Sequence, residues 1–201
     1  MKNVLLLFTV LLIWTVNVEA QQKLTKNVKV PNISTKDATG ENVNLQKILK
    51  ENDRVLICFF RPVWCPICNK HTHDLIARYE ELQKKGIEVV AIYPSNAEVM
   101  AQYVKDSKIP FPVISDPNEE LYKRYAIERS LQKMRATLDH ADAKEEMEAG
   151  VKLFHGKNYE KKEDERYDSI INADFVVKAN RILEVAYYGD YIGDHYDLNK
   201  L

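Results

Sequence analysis

Three apolar runs separated by helical periodicities organise the chain. Residues 54–60 read Arg-Val-Leu-Ile-Cys-Phe-Phe, an unbroken β-branched and aromatic run. That composition predicts a strand buried on both faces, at the centre of a parallel sheet. After a short loop, residues 66–85 place apolar or aromatic side chains at 75, 76, 79 and 82. The 3.6-residue period predicts a helix that stops at Gly86. Residues 87–93 form a second strand, 96–107 a polar helix, 111–114 a short strand after Pro110, and 119–125 another helix. Two consecutive strand and helix units imply right-handed crossovers and a parallel core. Upstream, residues 21–53 carry short extended segments around a turn at 37–40, then one or two helical turns at 45–50. Downstream, residues 173–177 and 182–187, linked by Lys178-Ala179-Asn180-Arg181, predict a β-hairpin that closes the sheet.

Residues 126–168 break this rhythm. They hold 11 acidic and 9 basic side chains and few large apolar ones, which predicts a helical, solvated, charged insertion before the hairpin. With 201 residues, 45% of them hydrophobic, the chain can build one domain with a sizeable core. The 29 Lys and Arg against 30 Asp and Glu give a net charge of −1, which disfavours nucleic acid as a partner. The first 20 residues are set apart. Lys2, the apolar run 4–16 and the small residues Val18 and Ala20 have the order of a secretory signal peptide, leaving residues 21–201 as the domain. The chain is therefore expected to be exported, periplasmic or secreted. An uncleaved membrane anchor through residues 4–16 is the alternative, although that run is shorter than a spanning helix requires.

Three cysteines are too few for a disulfide scaffold and suit one reactive pair plus one buried thiol. Cys65-Pro66-Ile67-Cys68 stands where the buried strand delivers the backbone to the start of the long helix. A thiol in a first helical turn feels the positive end of the macrodipole and unpaired N–H groups, which favour thiolate. Cys65 is then the nucleophile, and Cys68, about one turn deeper, is placed to resolve a mixed disulfide. A static disulfide or half of a zinc site remains open for the same spacing. His71 and His73 follow closely, but positions two apart point to different faces of a helix, so both are expected to be solvated and no metal is assigned. Asn69 after Cys68 excludes covalent haem attachment. Cys58, mid-strand, is expected to be an inert core thiol.

The segment Phe59-Phe60-Arg61-Pro62-Val63-Trp64-Cys65-Pro66-Ile67-Cys68 resembles the active-site segment of the thioredoxin superfamily, in particular its peroxiredoxin-like branch of alkyl hydroperoxide reductases and thiol-specific antioxidants. Ala173-Asp174-Phe175-Val176-Val177, with Tyr187-Tyr188-Gly189 and Ile192-Gly193-Asp194-His195, is similar to that branch's closing hairpin and tail. The resemblance implies an α/β, thioredoxin-like fold: a central mixed sheet flanked by helices, interrupted by the 126–168 insertion. It implies catalysis by Cys65 and Cys68, with Trp64, Pro66, Arg61 and Asn172 in supporting places, and no metal or organic cofactor. Asn172 stands where the superfamily carries a cis-proline opposite the active-site cysteine. It is therefore expected beside the Cys65 sulfur, after a trans peptide bond, offering its amide to the thiolate. Pro62 stands where peroxiredoxins carry threonine or serine. Arg61 is either a replacement for the branch's arginine or, as strand-end arginines often are, a surface ion-pair partner.

These features give a leading expectation of thiol-disulfide exchange with protein or small-molecule disulfides and dithiols, reset by an external electron donor or acceptor. The alternative is hydroperoxide reduction, with Cys65 oxidised to sulfenic acid and Cys68 condensing with it. A third reading is a copper chaperone using both thiols and a histidine.

Overall fold

The computed structural model describes residues 22–153, 159 and 169–201. The leader, and residues 154–158 and 160–168 of the insertion, lie outside the described residues. Among the described residues no helix is long and apolar enough to cross a membrane.

The elements run β1 (Ser34–Lys36), β2 (Asn42–Asn44), α1 (Leu45–Glu51), β3 (Arg54–Phe59), α2 (Pro66–Lys84), β4 (Ile87–Tyr93), α3 (Ala97–Ser107), β5 (Val113–Ser115), α4 (Glu120–Arg124), α5 (Leu131–Ala136), α6 (Ala141–Leu153), β6 (Ala173–Lys178) and β7 (Ile182–Tyr188). The main sheet has the order β5-β4-β3-β6-β7. β3, β4 and β5 are parallel, and the hairpin β6–β7 adds antiparallel beside β3. The sheet is the expected mixed one, with the 54–60 run at its centre.

β3 is buried on both faces because its alternate side chains enter two separate cores. Leu56, Cys58 and Phe60 face α2 and α3 with Val89, Ala91 and Tyr93 of β4. Val55, Ile57 and Phe59 face α1 and α4 with Val90 and Ile92. α2 begins well because Pro66 sits in its first turn, where the missing N–H costs no helical bond and φ is already helical. It buries Cys68, His71, Thr72, Leu75 and Leu82 at helical spacing. It ends at Gly86, whose φ of +69° favours glycine and whose missing Cβ leaves room for the Asp53 side chain.

The insertion corrects the sequence reading. It is helical and largely exposed where described, as expected, but one face of it packs on the domain. Helix α6 lies along α2, with Ala143 fully buried and Gly150 against the backbone carbonyl of Pro66. The periodicity of 141–153 is weak because the face it buries is made of small residues, which the eye for large apolar positions passes over.

Candidate active site

The segment joining β3 to α2 is held by backbone bonds. Phe60 N–H donates to Ile92 O at 2.9 Å, extending the ladder beyond β3. Val63 N–H donates to Ser95 Oγ at 2.9 Å, and Cys65 N–H to Pro62 O at 2.9 Å. This tight turn leaves Cys65 as the N-cap of α2, its sulfur over the first turn. Cys65 and Cys68 are both free thiols, each only 1% exposed.

Arg61 points inward. It is 6% exposed and its Nη1 donates to Cys65 Sγ at 3.4 Å, with the guanidinium 5.5 Å from the Trp64 ring. The surface reading of a strand-end arginine is thereby overturned, because Pro62 turns the chain and the neighbouring Trp64 covers the side chain. The Cys68 thiol, donating to the Cys65 sulfur, is the largest influence bringing the Cys65 pKa down to about 6. Burial opposes it, while the Arg61 charge and the Cys68 backbone N–H assist. Burial, followed by the neighbouring sulfur, pushes Cys68 up instead. The pair is split into one thiolate and one proton-bearing thiol.

A cavity of about 250 Å³ opens on Cys65. Arg61, Trp64 and Pro66 form one side of it; Met134, Leu138 and Met147 from the insertion form the other, with Ile192 of the tail. The insertion is therefore part of the site.

Asn172 does not serve as expected. Its Nδ2 donates to Asp194 O at 2.5 Å and its Oδ1 accepts from Gly193 N–H at 2.9 Å, so both ends of the amide are engaged by the tail and neither by Cys65. The backbone is trans throughout the described residues, as expected after a non-proline. Asn172 instead fixes the turn that carries Ile192 into the cavity wall.

His71 is likewise corrected. It is buried, its ring stacked 3.6 Å from His195 at an interplanar angle of 2°, because the C-terminal tail folds over that face of α2. Among the described residues the only grouping of three potential metal donors is Cys58, His71 and Asp174; Cys65 and Cys68 gain no histidine.

A thioredoxin-like sheet carrying a cysteine pair at the start of its longest helix defines the class. Residues 27–185 match the AhpC/TSA family, and the chain belongs to that family. Peroxiredoxin Bcp of Escherichia coli K12 is 23% identical over 168 residues, covering 84% of this chain and 88% of that one. A chloroplastic peroxiredoxin Q of Sedum lineare is 29% identical over 109 residues, 54% of this chain and 58% of that protein. With the rice peroxiredoxins Q the figure is 49%, so this chain spans about half the length of these curated relatives. Among solved structures, the peroxidoxin BcpB of Mycobacterium tuberculosis superposes with a TM-score of 0.60 at 15% identity, covering 84% of this chain and 88% of that one. The fold is thus the peroxiredoxin-like variant of the thioredoxin fold.

Proposed function

We propose that the protein is a peroxiredoxin-type hydroperoxide reductase, with Cys65 as the peroxidatic and Cys68 as the resolving cysteine. The reading rests first on the Arg61 guanidinium at 3.4 Å from the sulfur of a cysteine roofed by the insertion. The roof favours this reading over the leading sequence expectation of disulfide exchange. Cys65, a residue 1% exposed on a cavity of about 250 Å³, is reached by a small peroxide more readily than by the disulfide of a folded protein.

The Cys65 thiolate attacks one oxygen of ROOH, the O–O bond breaks, and the leaving alkoxide takes up a proton to depart as ROH. Cys65 is left as sulfenic acid. The Cys68 thiol then attacks that sulfur, forming the Cys65–Cys68 disulfide and releasing water. An external dithiol returns the two electrons by exchange through a mixed disulfide. Arg61 holds the thiolate and faces the charge that develops on the peroxide oxygens. The apolar wall of Trp64, Met134, Leu138, Met147 and Ile192 suits organic hydroperoxides as well as hydrogen peroxide.

The Cys68→Ser variant tests the assignment. Exposed to one equivalent of hydroperoxide, it accumulates sulfenic acid on Cys65, read by dimedone labelling and mass spectrometry. Mixed disulfides with client proteins, and no sulfenic acid, would restore disulfide exchange as the function.

A further inference from the structure

A second group of reactive side chains lies on the same face of the sheet and takes no part in the chemistry above. Cys58 sits mid-β3, and Asp174 is its register partner on β6. His71 comes from α2 and packs over them. One donor atom from each of the three lies within 4.8 Å of the others.

Their hydrogen bonding is incomplete in a way that a packed core does not require. Asp174 Oδ2 accepts from Tyr196 N–H at 2.8 Å and contacts His195 Nδ1 at 3.0 Å; Oδ1 is buried without a well-formed hydrogen bond, and beyond these the carboxylate has the Cys58 thiol beside it. His71 Nε2 and His195 Nε2 are also buried without partners. Asp174 is 1% exposed, His71 8%, and the His195 side chain 4%. Each such orphan costs about 1–3 kcal/mol, and more for a charged group, so the neighbouring pair on Asp174 and His71 calls for a missing partner. A cation satisfies acceptors and ring nitrogens together.

We propose that Cys58, His71 and Asp174 form a binding site for a zinc-class divalent cation, with His195 orienting the Asp174 carboxylate. The mixed sulfur, nitrogen and oxygen donor set is that of zinc, and three protein ligands leave a fourth position for water. The donor atoms, all within 4.8 Å of one another, would have to close to roughly 3.5 Å for a tetrahedral zinc shell. Binding replaces the Cys58 S–H bond by a sulfur–metal bond and releases that proton. Access is available, since His71 and His195 form part of the wall of a cavity of about 400 Å³. Its lining also carries Asp74, Asp142, Glu146, Asp194 and Asp197 against the single Arg78, a field that draws in cations. The site ties the sheet centre to α2 and orders the C-terminal tail through His195.

This inference does not depend on the peroxidase reading, and its test keeps the two apart. In a Cys65→Ser/Cys68→Ser protein, Cys58 is the only thiol left. Titration with Co²⁺ is then expected to give a near-ultraviolet thiolate-to-cobalt charge-transfer band saturating at one equivalent, and Zn²⁺ to abolish it. In competition with a chromogenic chelator, Asp174→Asn and His71→Gln are each expected to weaken Zn²⁺ binding at least tenfold. A protein with native circular dichroism that shows no charge-transfer band would overturn the proposal. So would tight Zn²⁺ binding that is unchanged by both substitutions, or binding that is present only when Cys65 and Cys68 are intact.

Discussion

Replacing Arg61 by Met removes the charge that faces Cys65 while keeping the length and much of the volume of the side chain. The guanidinium is buried and 3.4 Å from the sulfur, so solvent screens it little. An opposite charge at that range moves a pKa by about 1–3 units, each unit corresponding to about 1.4 kcal/mol. From about 6, the Cys65 pKa is then expected to climb to roughly 7–9. At pH 7 the thiolate fraction falls from about nine-tenths to between about one-half and one-hundredth, and alkylation slows by about two- to one-hundredfold. The assay is site-resolved mass spectrometry of iodoacetamide labelling across pH 5–9, with Cys68 left intact because its thiol contributes most to the wild-type value. Arg61→Lys keeps the charge without the fork and should recover part of the shift. A folded Arg61→Met protein whose labelling midpoint stays within about half a unit of wild type would refute the electrostatic reasoning.

Two further outcomes follow from the same geometry and one from the N-terminal sequence. The Cys65 pKa lies at about 6 in the folded state against an ordinary 9.0, so the reduced protein should gain stability as pH rises from about 6 to about 9 and lose it as pH falls through 6. The disulfide form has no such titration, and chemical denaturation of both forms across that window reads the difference; parallel curves would contradict it. Gly150→Ala sets a methyl against the Pro66 carbonyl, an overpacking expected to cost about 1–3 kcal/mol despite alanine's better helix propensity and to open Cys65 to faster alkylation; unchanged stability and labelling would place α6 elsewhere. The export expectation is checked by N-terminal sequencing of the protein recovered outside the cytosol, which should begin at Gln21; a chain starting at Met1 would point to an uncleaved anchor.

The elements whose own composition decides their state were legible along the chain. β4 matches residues 87–93 throughout, and β3 and α2 each end one residue short of the sequence reading, because a doubly buried strand and a glycine-stopped helix announce themselves locally. The cysteine pair was legible for the same reason. The rest of the site is set by distant segments. The inward turn of Arg61 depends on Trp64 and on the cavity beneath it, and the burial of His71 depends on a tail more than 120 residues away. The role of α6 depends on Gly150, whose absent side chain is what allows contact. One signal was present and passed over: Asp174 stands in the otherwise apolar run Ala-Asp-Phe-Val-Val, where an acid has to be buried, and a buried acid needs partners. Asn172 stands at the head of β6 as its place in the sequence implies, but its amide serves the tail's backbone groups and not the thiolate.

The most direct measurement of the central claim is stopped-flow oxidation of the reduced protein, following the fluorescence of Trp64 beside Cys65 in the site wall. Cumene hydroperoxide and hydrogen peroxide are compared with a peptide disulfide at equal concentration. The expected result is oxidation by hydroperoxide faster by orders of magnitude, ending in a Cys65–Cys68 disulfide confirmed by mass mapping. Faster oxidation by the peptide disulfide, with Cys65 untouched by peroxide on the same timescale, would contradict it.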